Sequence, residues 1–337
     1  MTHCADPWSI VLAAGDGKRL QSLTTDAAGI STPKQYCSLF GGSTLLRDAL
    51  RRAAAVSPRE RVCTVVAAQH ARWWCSELAD LPAKSVFVQP ANRGTANGIL
   101  LPLLHLAARD PDAAVVLLPS DHHVRDERIL ADALRAAVGQ VRRADGRIVL
   151  LGIRPDEADV ELGYIVPDDS GGDCDCGLRG VSRFIEKPAA PLAEALVRHG
   201  ALWNSFILTA TVAGLLRLFE RKVPQIVAHL RDVLQRDAYP PQGSPALAAW
   251  YATLQSLDFS RHLLDGAESS LRVRAVPPCG WSDLGTPRRV AATLRRRAGS
   301  VERGLAALDA PADAPCLAAL HALQYAATAS RCAAGAP

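Results

Sequence analysis

The chain has 337 residues, 49% of them hydrophobic and 21% charged, with a formal net charge of +4. This balance suits a globular protein with one large or two modest α/β domains and a well-buried core, and it excludes a highly charged or low-complexity disordered chain. The mild positive charge gives little ground for nucleic-acid binding. The arginine-rich stretch at 288–299 lacks interleaved aromatics and reads as a basic helix face.

No signal peptide is expected from MTHCADPWS, and ILLPLLHLAA is too interrupted, by Pro102 and His105, to cross a bilayer. The nine cysteines are odd in number and form no paired Cys-x-x-Cys set. Cys174 and Cys176, in an acidic glycine loop, make an incomplete zinc site. The expectation is a cytoplasmic protein with reduced thiols, acting on neither nucleic acid nor membrane.

Short β-branched runs at 10–13, 62–67, 85–88, 115–118 and 148–151 alternate with helical periodicity at 45–55, 71–78, 95–108 and 129–141. Strand-helix alternation predicts a doubly wound α/β layer whose ligands lie beyond the carboxyl ends of the strands. After residue 152 the alternation loosens. ELGYIVP and RGVSRFIEKP read as strands of a hairpin-like insertion, followed by helices at 192–198, 212–219 and 225–235 and a strand at RVRAVP. An Ala/Arg-rich helical tail is expected at 288–337, after one domain at 1–287.

Chemistry-bearing residues follow the strands, as that layout demands. Gly15 and Gly17, in LAAGDGKRL, can bring backbone N–H groups close to an anion, and Arg19 and Lys34 would add charge against a triphosphate. The turn matches neither the Walker A pattern nor the dinucleotide fingerprint, so a plain strand-to-helix turn stays open. The apolar strand in VVLLPSDHHV ends in Asp121, which suits a hard cation or a helix N-cap equally well. Gln89 could read a base edge, and the cluster at 92–97 opens a helix toward a ligand or simply caps it. Glu186–Lys187 is either a sugar-phosphate contact or a surface ion pair. Asn204 lies beside the apolar Trp203, and Asp283 lies between glycines.

Eight segments in this order, LAAGDGKRL, PKQY, QPANRGTANGI, LPSDHHV, ELGYIVP, FIEKP, LWNS and GWSDLGT, resemble the sugar-1-phosphate nucleotidyltransferases, in particular the mannose-1-phosphate guanylyltransferases. The resemblance runs over roughly residues 9 to 287. It implies a Rossmann-like fold with a mostly parallel sheet flanked by helices, a small β insertion and a helical tail. The implied reaction joins a nucleoside triphosphate, most readily GTP, to a sugar-1-phosphate, most readily mannose-1-phosphate, with release of pyrophosphate. It further implies that Ala14, Gly15, Gly17, Arg19 and Lys34 hold the triphosphate and that Gln89, Gly94 and Thr95 contact base and ribose. Gly163, Glu186, Lys187 and Asn204 would meet the sugar phosphate, and Asp121 and Asp283 would hold Mg²⁺.

The departures are Asp16 and Lys18 in the glycine turn, Phe206 where a glycine usually follows Asn-Ser, and Leu264–Asp265 in place of a Glu-Lys pair. The alternatives are a non-catalytic nucleotide-sugar-binding regulator, a transferase for another base or sugar, and a glycosyltransferase. The sequence leaves a homo-oligomer open.

Overall fold

The computed structural model describes residues 6–141, 146–168, 177–238 and 241–297. Four strands, β1 (Trp8–Ala13), β2 (Val62–Ala67), β3 (Val86–Gln89) and β4 (Ala114–Pro119), pair in parallel in the order β3-β2-β1-β4. They are short runs of mainly Val, Ile, Leu and Ala, almost entirely buried, as a sheet covered on both faces requires. Along β1 the pleat sends Ile10 into one core and Val11 into the other.

The helices follow in chain order. A short α1 (Gln21–Thr24) lies in the long loop after β1. The others in this half are α2 (Leu45–Ala54), α3 (Ala71–Glu77), α4 (Gly94–Arg109) and α5 (Glu127–Val141). Thr44 caps α2 by accepting from the Arg47 N–H, and the apolar stripe of that helix buries Leu46, Ala49 and Ala53. The helix α4 is apolar nearly all round and is sunk in the opposite core, despite Pro102 within it.

The remaining elements are β5 (Ile148–Ile153), β6 (Gly163–Pro167), β7 (Leu178–Glu186), α6 (Ala190–Arg198), β8 (Leu202–Thr211), α7 (Val212–Lys222), α8 (Pro224–Arg236), α9 (Pro245–Thr253), β9 (Leu271–Val276) and α10 (Pro287–Arg297). The sheet has nine strands, in the order β3-β2-β1-β4-β8-β5-β9-β7-β6. The parallel pairing expected from the sequence holds through β3-β2-β1-β4 and between β5 and β9, while β8 runs antiparallel to β4 and β5 in the middle of the sheet. This central strand is absent from the sequence expectation. Both of its faces are largely buried, so it shows no apolar–polar alternation, and its pairing with β5 shifts register between Leu150 and Gly152.

The expected hairpin is present as β6 against β7, with Gly163 opposite Glu186. It joins the main sheet through β9 and β8. The loop residues Cys174 and Cys176 lie outside the described residues. Cys37, Cys63, Cys75 and Cys279 are free thiols.

The domain boundary expected at 287/288 falls in the first turn of α10. Val290 of that helix is buried with Leu20, Leu39, Leu45 and Leu284, and Arg289 pairs with Asp159 at 2.7 Å. Residues 298–337 lie outside the description. No helix among the described residues is long and apolar enough to cross a membrane.

Candidate active site

The turn after β1 is held from behind by the segment Lys34–Tyr36. Gln35 Nε2 donates to the Ala13 carbonyl at 3.1 Å and to the Gly15 carbonyl at 2.8 Å, and the Tyr36 hydroxyl donates to Ala13 at 2.9 Å. Gly17 has φ +64°, and a Cβ there would stand 2.8 Å from the Lys34 backbone nitrogen. Only glycine allows that approach. Gly15 faces open space. The PKQY motif therefore supplies scaffold (Gln35, Tyr36) as well as charge, whereas the sequence reading drew from it only the charge of Lys34.

Lys34 is buried, and its ammonium lies 3.0 Å from the Asp121 carboxylate while donating to the carbonyls of Asp283 at 2.7 Å and Leu284 at 3.3 Å. Burial alone would raise the Asp121 carboxyl, but the ammonium and the neighbouring His122 hold it below the ordinary range. His122 is itself driven down to about 4 by burial. The indole N–H of Trp281 donates to His122 Nδ1 at 3.2 Å, so that nitrogen accepts and the proton sits on Nε2, 3.6 Å from Asp121.

Asp283 accepts from Arg289 at 3.2 Å, and the same guanidinium pairs with Asp159 and lies 4.7 Å from the Trp203 ring centre. Neither Arg289 nor Asp159 was singled out from the sequence, because their contact spans 130 positions and no local signal marks it. No cluster of three or more metal-type side chains occurs among the described residues. Two carboxylates, with every other donor left to water or substrate phosphate, nevertheless fit Mg²⁺, which rarely uses an all-protein cage.

On the β3 side, Gln89 is 1% exposed, and its Oε1 accepts no hydrogen bond. Gly98 makes room for it, since a Cβ there would lie 3.1 Å from Gln89 Nε2. Gly94 has φ +82°, and any Cβ would run into the Leu257 backbone. The Thr95 hydroxyl accepts from the Phe259 N–H at 2.8 Å, Arg93 donates to Tyr251 and Ala252, and Asn97 donates to Gln255. The polar cluster at 92–97 thus has a structural task, pinning the segment 251–259 against the start of α4. Gln89 is its unpartnered neighbour.

At the far side, Glu186 ends β7 and Gly163 opens β6. A Cβ on Gly163 would press on the Glu186 carboxylate. Burial, reinforced by Asp258 and opposed by Lys187 and Arg261, pushes the Glu186 carboxyl up to about 7. Asn204 Nδ2 contacts Ser260 Oγ at 3.4 Å, and its Oδ1 accepts from the Phe206 N–H at 3.1 Å. Phe206 occupies the left-handed region at φ +59°, where the register of β8 shifts, and its ring meets Phe259 edge-on at 5.9 Å. Arg19 and Lys187 reach the same oxygen of Glu161, at 3.1 and 3.7 Å. Sequence reading missed Glu161, Asp258 and Ser260.

A single cavity of about 440 Å³ takes in most of these groups. From the nucleotide set it is lined by Ala14, Gly15, Arg19, Gln89, Gly94 and Thr95. From the sugar-phosphate and metal sets it is lined by Gly163, Glu186, Lys187, Asn204, Asp121 and Asp283. Gly17 and Lys34 lie instead on an adjoining cleft of about 310 Å³, which shares Arg19 and Asp121 with the first.

A family model described as nucleotidyl transferase matches residues 8–295. The chain belongs to that family. Its relatives include the alginate biosynthesis protein AlgA of Pseudomonas syringae pv. tomato, 27% identical over 283 residues, 82% of this chain and 56% of AlgA. Mannose-1-phosphate guanylyltransferase 2 of Escherichia coli O157:H7 is 27% identical over 316 residues, 88% of this chain and 62% of that protein. The chain therefore spans little more than half the length of these curated relatives. A solved structure from Thermus thermophilus, described as a mannose-1-phosphate geranyltransferase, superposes with a TM-score of 0.70 at 26% identity, covering 86% of this chain and 79% of that one. Family membership and this likeness agree with the Rossmann-like nucleotidyltransferase fold that the motifs imply.

Proposed function

We propose that the chain is a sugar-1-phosphate nucleotidyltransferase, with GTP and mannose-1-phosphate as the substrates the relatives' names favour. The observation that carries this reading is the meeting of Arg19 and Lys187 on one oxygen of Glu161. Arg19 belongs to the glycine turn and Lys187 to the end of β7, so cations from the two sides of the cavity converge at one point. A reaction between two polyanions needs that arrangement.

A sugar phosphate is already anionic at neutral pH and needs no general base. Its oxygen would attack the α-phosphorus of the triphosphate. A new P–O bond forms there, the bond to the bridging oxygen breaks, and pyrophosphate leaves with the electron pair. Positioning and charge stabilisation supply most of such catalysis. Arg19 and Lys187 would exchange Glu161 for phosphate oxygens, the N–H groups of the Ala14–Gly17 turn would meet the triphosphate, and Lys34 would hold Asp121 in place. Gln89 offers an unused acceptor to the base. Glu186 and Asn204 offer hydrogen bonds to sugar hydroxyls. Asp121 and Asp283 would hold Mg²⁺, which supplies counter-charge to the phosphates when bound.

The test incubates the purified chain with Mg²⁺, mannose-1-phosphate and each nucleoside triphosphate in turn, measuring pyrophosphate release, and repeats the active pair with EDTA. Release with GTP, abolished by EDTA and restored by excess Mg²⁺, is expected. Release only with another triphosphate corrects the base. Silence across a panel of sugar phosphates overturns the catalytic reading.

A further inference from the structure

At the end of the sheet opposite the cavity, where β5 and β9 begin side by side at Ile148 and Leu271, a cleft of about 200 Å³ lies between β5, β9 and α7. Arg147 precedes β5, Arg217 and Arg221 stand one turn apart on α7, and Ser269 and Ser270 precede β9, all lining the cleft. No carboxylate among the described residues lines it.

Elsewhere on the surface Arg231, Arg236 and Arg288 each face a carboxylate. Here, among the described residues, Arg221 donates only to the neutral Ser270 hydroxyl, at 2.7 Å, and neither Arg147 nor Arg217 makes an ion pair. Like charges one turn apart on a helix repel, so the arrangement costs stability unless an anion joins it. Arg147 also bears on Arg272, whose guanidinium is lowered by burial and then by that neighbouring charge.

The guanidinium of the exposed Arg217 lies against Gly146, whose φ of +74° favours glycine. Gly214, in the first turn of α7, packs in turn against the Gly146 carbonyl at a distance that a side chain would block.

We propose that this cleft binds a phosphate group, free or on a small monoester, at a second site distinct from the catalytic cavity. Guanidinium forks and hydroxyl donors without competing acceptors are the chemistry that recognises a tetrahedral dianion. The volume of about 200 Å³ has room for a phosphate group.

The test is calorimetric titration of the full chain with inorganic phosphate at constant ionic strength, the balance made up with chloride. The chain is compared with Arg217→Gln/Arg221→Gln, with Ser270→Asp, and with Arg19→Gln/Lys187→Gln as a control in the catalytic cavity. A saturable binding event is expected to survive the control. It should weaken by roughly tenfold or more in each cleft variant, the loss typical of a charge-assisted hydrogen bond. Ser270→Asp installs an opposing carboxylate without removing an arginine, so it decides the matter if the double variant loses stability. Equal affinity in the cleft variants and wild type overturns the proposal. So does binding lost only in the cavity control, or the absence of any saturable event with chloride as the balancing ion.

Discussion

The ammonium of Lys34 stands 3.0 Å from the Asp121 carboxylate and is held there by two main-chain carbonyls, those of Asp283 and Leu284. One buried cation therefore ties the end of β4 to the loop after β9, the two segments that carry the paired carboxylates. The partners are unequally exposed, with Lys34 at 6% and Asp121 at 37% of side-chain area, and the consequences of removing them are unequal too.

In Asp121→Asn the ammonium keeps both carbonyl acceptors but loses its counter-charge, and the partly exposed carboxylate position lets water replace it, so the chain should fold with a loss of about 1 kcal/mol. Lys34→Met leaves those carbonyls without their donor in a buried place, at a cost of about 1–3 kcal/mol. Both variants should lower pyrophosphate release by about 100-fold or more, the scale of losing one preorganised electrostatic contact. Urea unfolding and the release assay check the two halves separately. Near-wild-type turnover in Asp121→Asn would remove that carboxylate from the reaction.

Glu186 gives a dependence on pH. Its carboxyl is raised from 4.5 to about 7 by burial and by Asp258, so the folded chain holds this proton more tightly than the unfolded chain does. The contribution to stability is thus complete below about pH 4.5, declines as pH rises, and is lost by about pH 7. Glu186→Gln should match wild type near pH 4.5 and melt higher at pH 8. Glu186 is partly open to solvent, which limits the gain to about 2 °C. Melting curves of the two proteins across this range test it. A difference that shrinks with rising pH would show the sign to be wrong.

Much of this was legible before any coordinates, and the exceptions have physical causes. The strands β1, β2, β4 and β5 announce themselves as β-branched runs, and the residues after β1, β3 and β4 line the cavity as the strand-end rule requires. LWNSFILTAT did not read as a strand because a buried strand with a register shift has no period of two, and Phe206 breaks what remains of the pattern. The cluster Arg93–Asn97 was visible as polar, but its partners at 251–259 lie some 160 positions away. Glu161 and Arg289 were silent for the same reason. Long-range ion pairs leave no local spacing to find.

Gly94→Ala tests that long-range clamp. The residue has φ +82°, and the added methyl would strike the Leu257 backbone, which is bonded on both sides to Arg93 and Ala96. Left-handed strain and the clash add, so the variant should lose about 2 kcal/mol or more. Relief of the clash also moves the segment carrying Ser256, Asp258 and Ser260 out of the cavity wall. Faster hydrogen exchange confined to 251–260, with a lower urea midpoint, is the expected pair of results. An unchanged midpoint would mean that the segment is not held from this point.

Phe206 is the other residue whose backbone and site roles meet. Its left-handed conformation costs about 1 kcal/mol relative to glycine, and its ring offsets that by packing edge-on against the buried Phe259. In Phe206→Gly relief of the left-handed strain only partly offsets the lost burial and edge contact of the ring, so the variant should lose about 1–2 kcal/mol while the cavity widens beside Asn204. The hydrogen bond that orients Asn204 comes from the backbone N–H of residue 206 and survives the substitution. The variant should therefore still bind sugar phosphates but discriminate less among them. The ratio of kcat/KM for mannose-1-phosphate to that for other hexose-1-phosphates should fall by roughly tenfold, on the scale of lost pocket contacts. An unchanged ratio in the folded variant would place the Phe206 ring outside the contacts that choose the sugar.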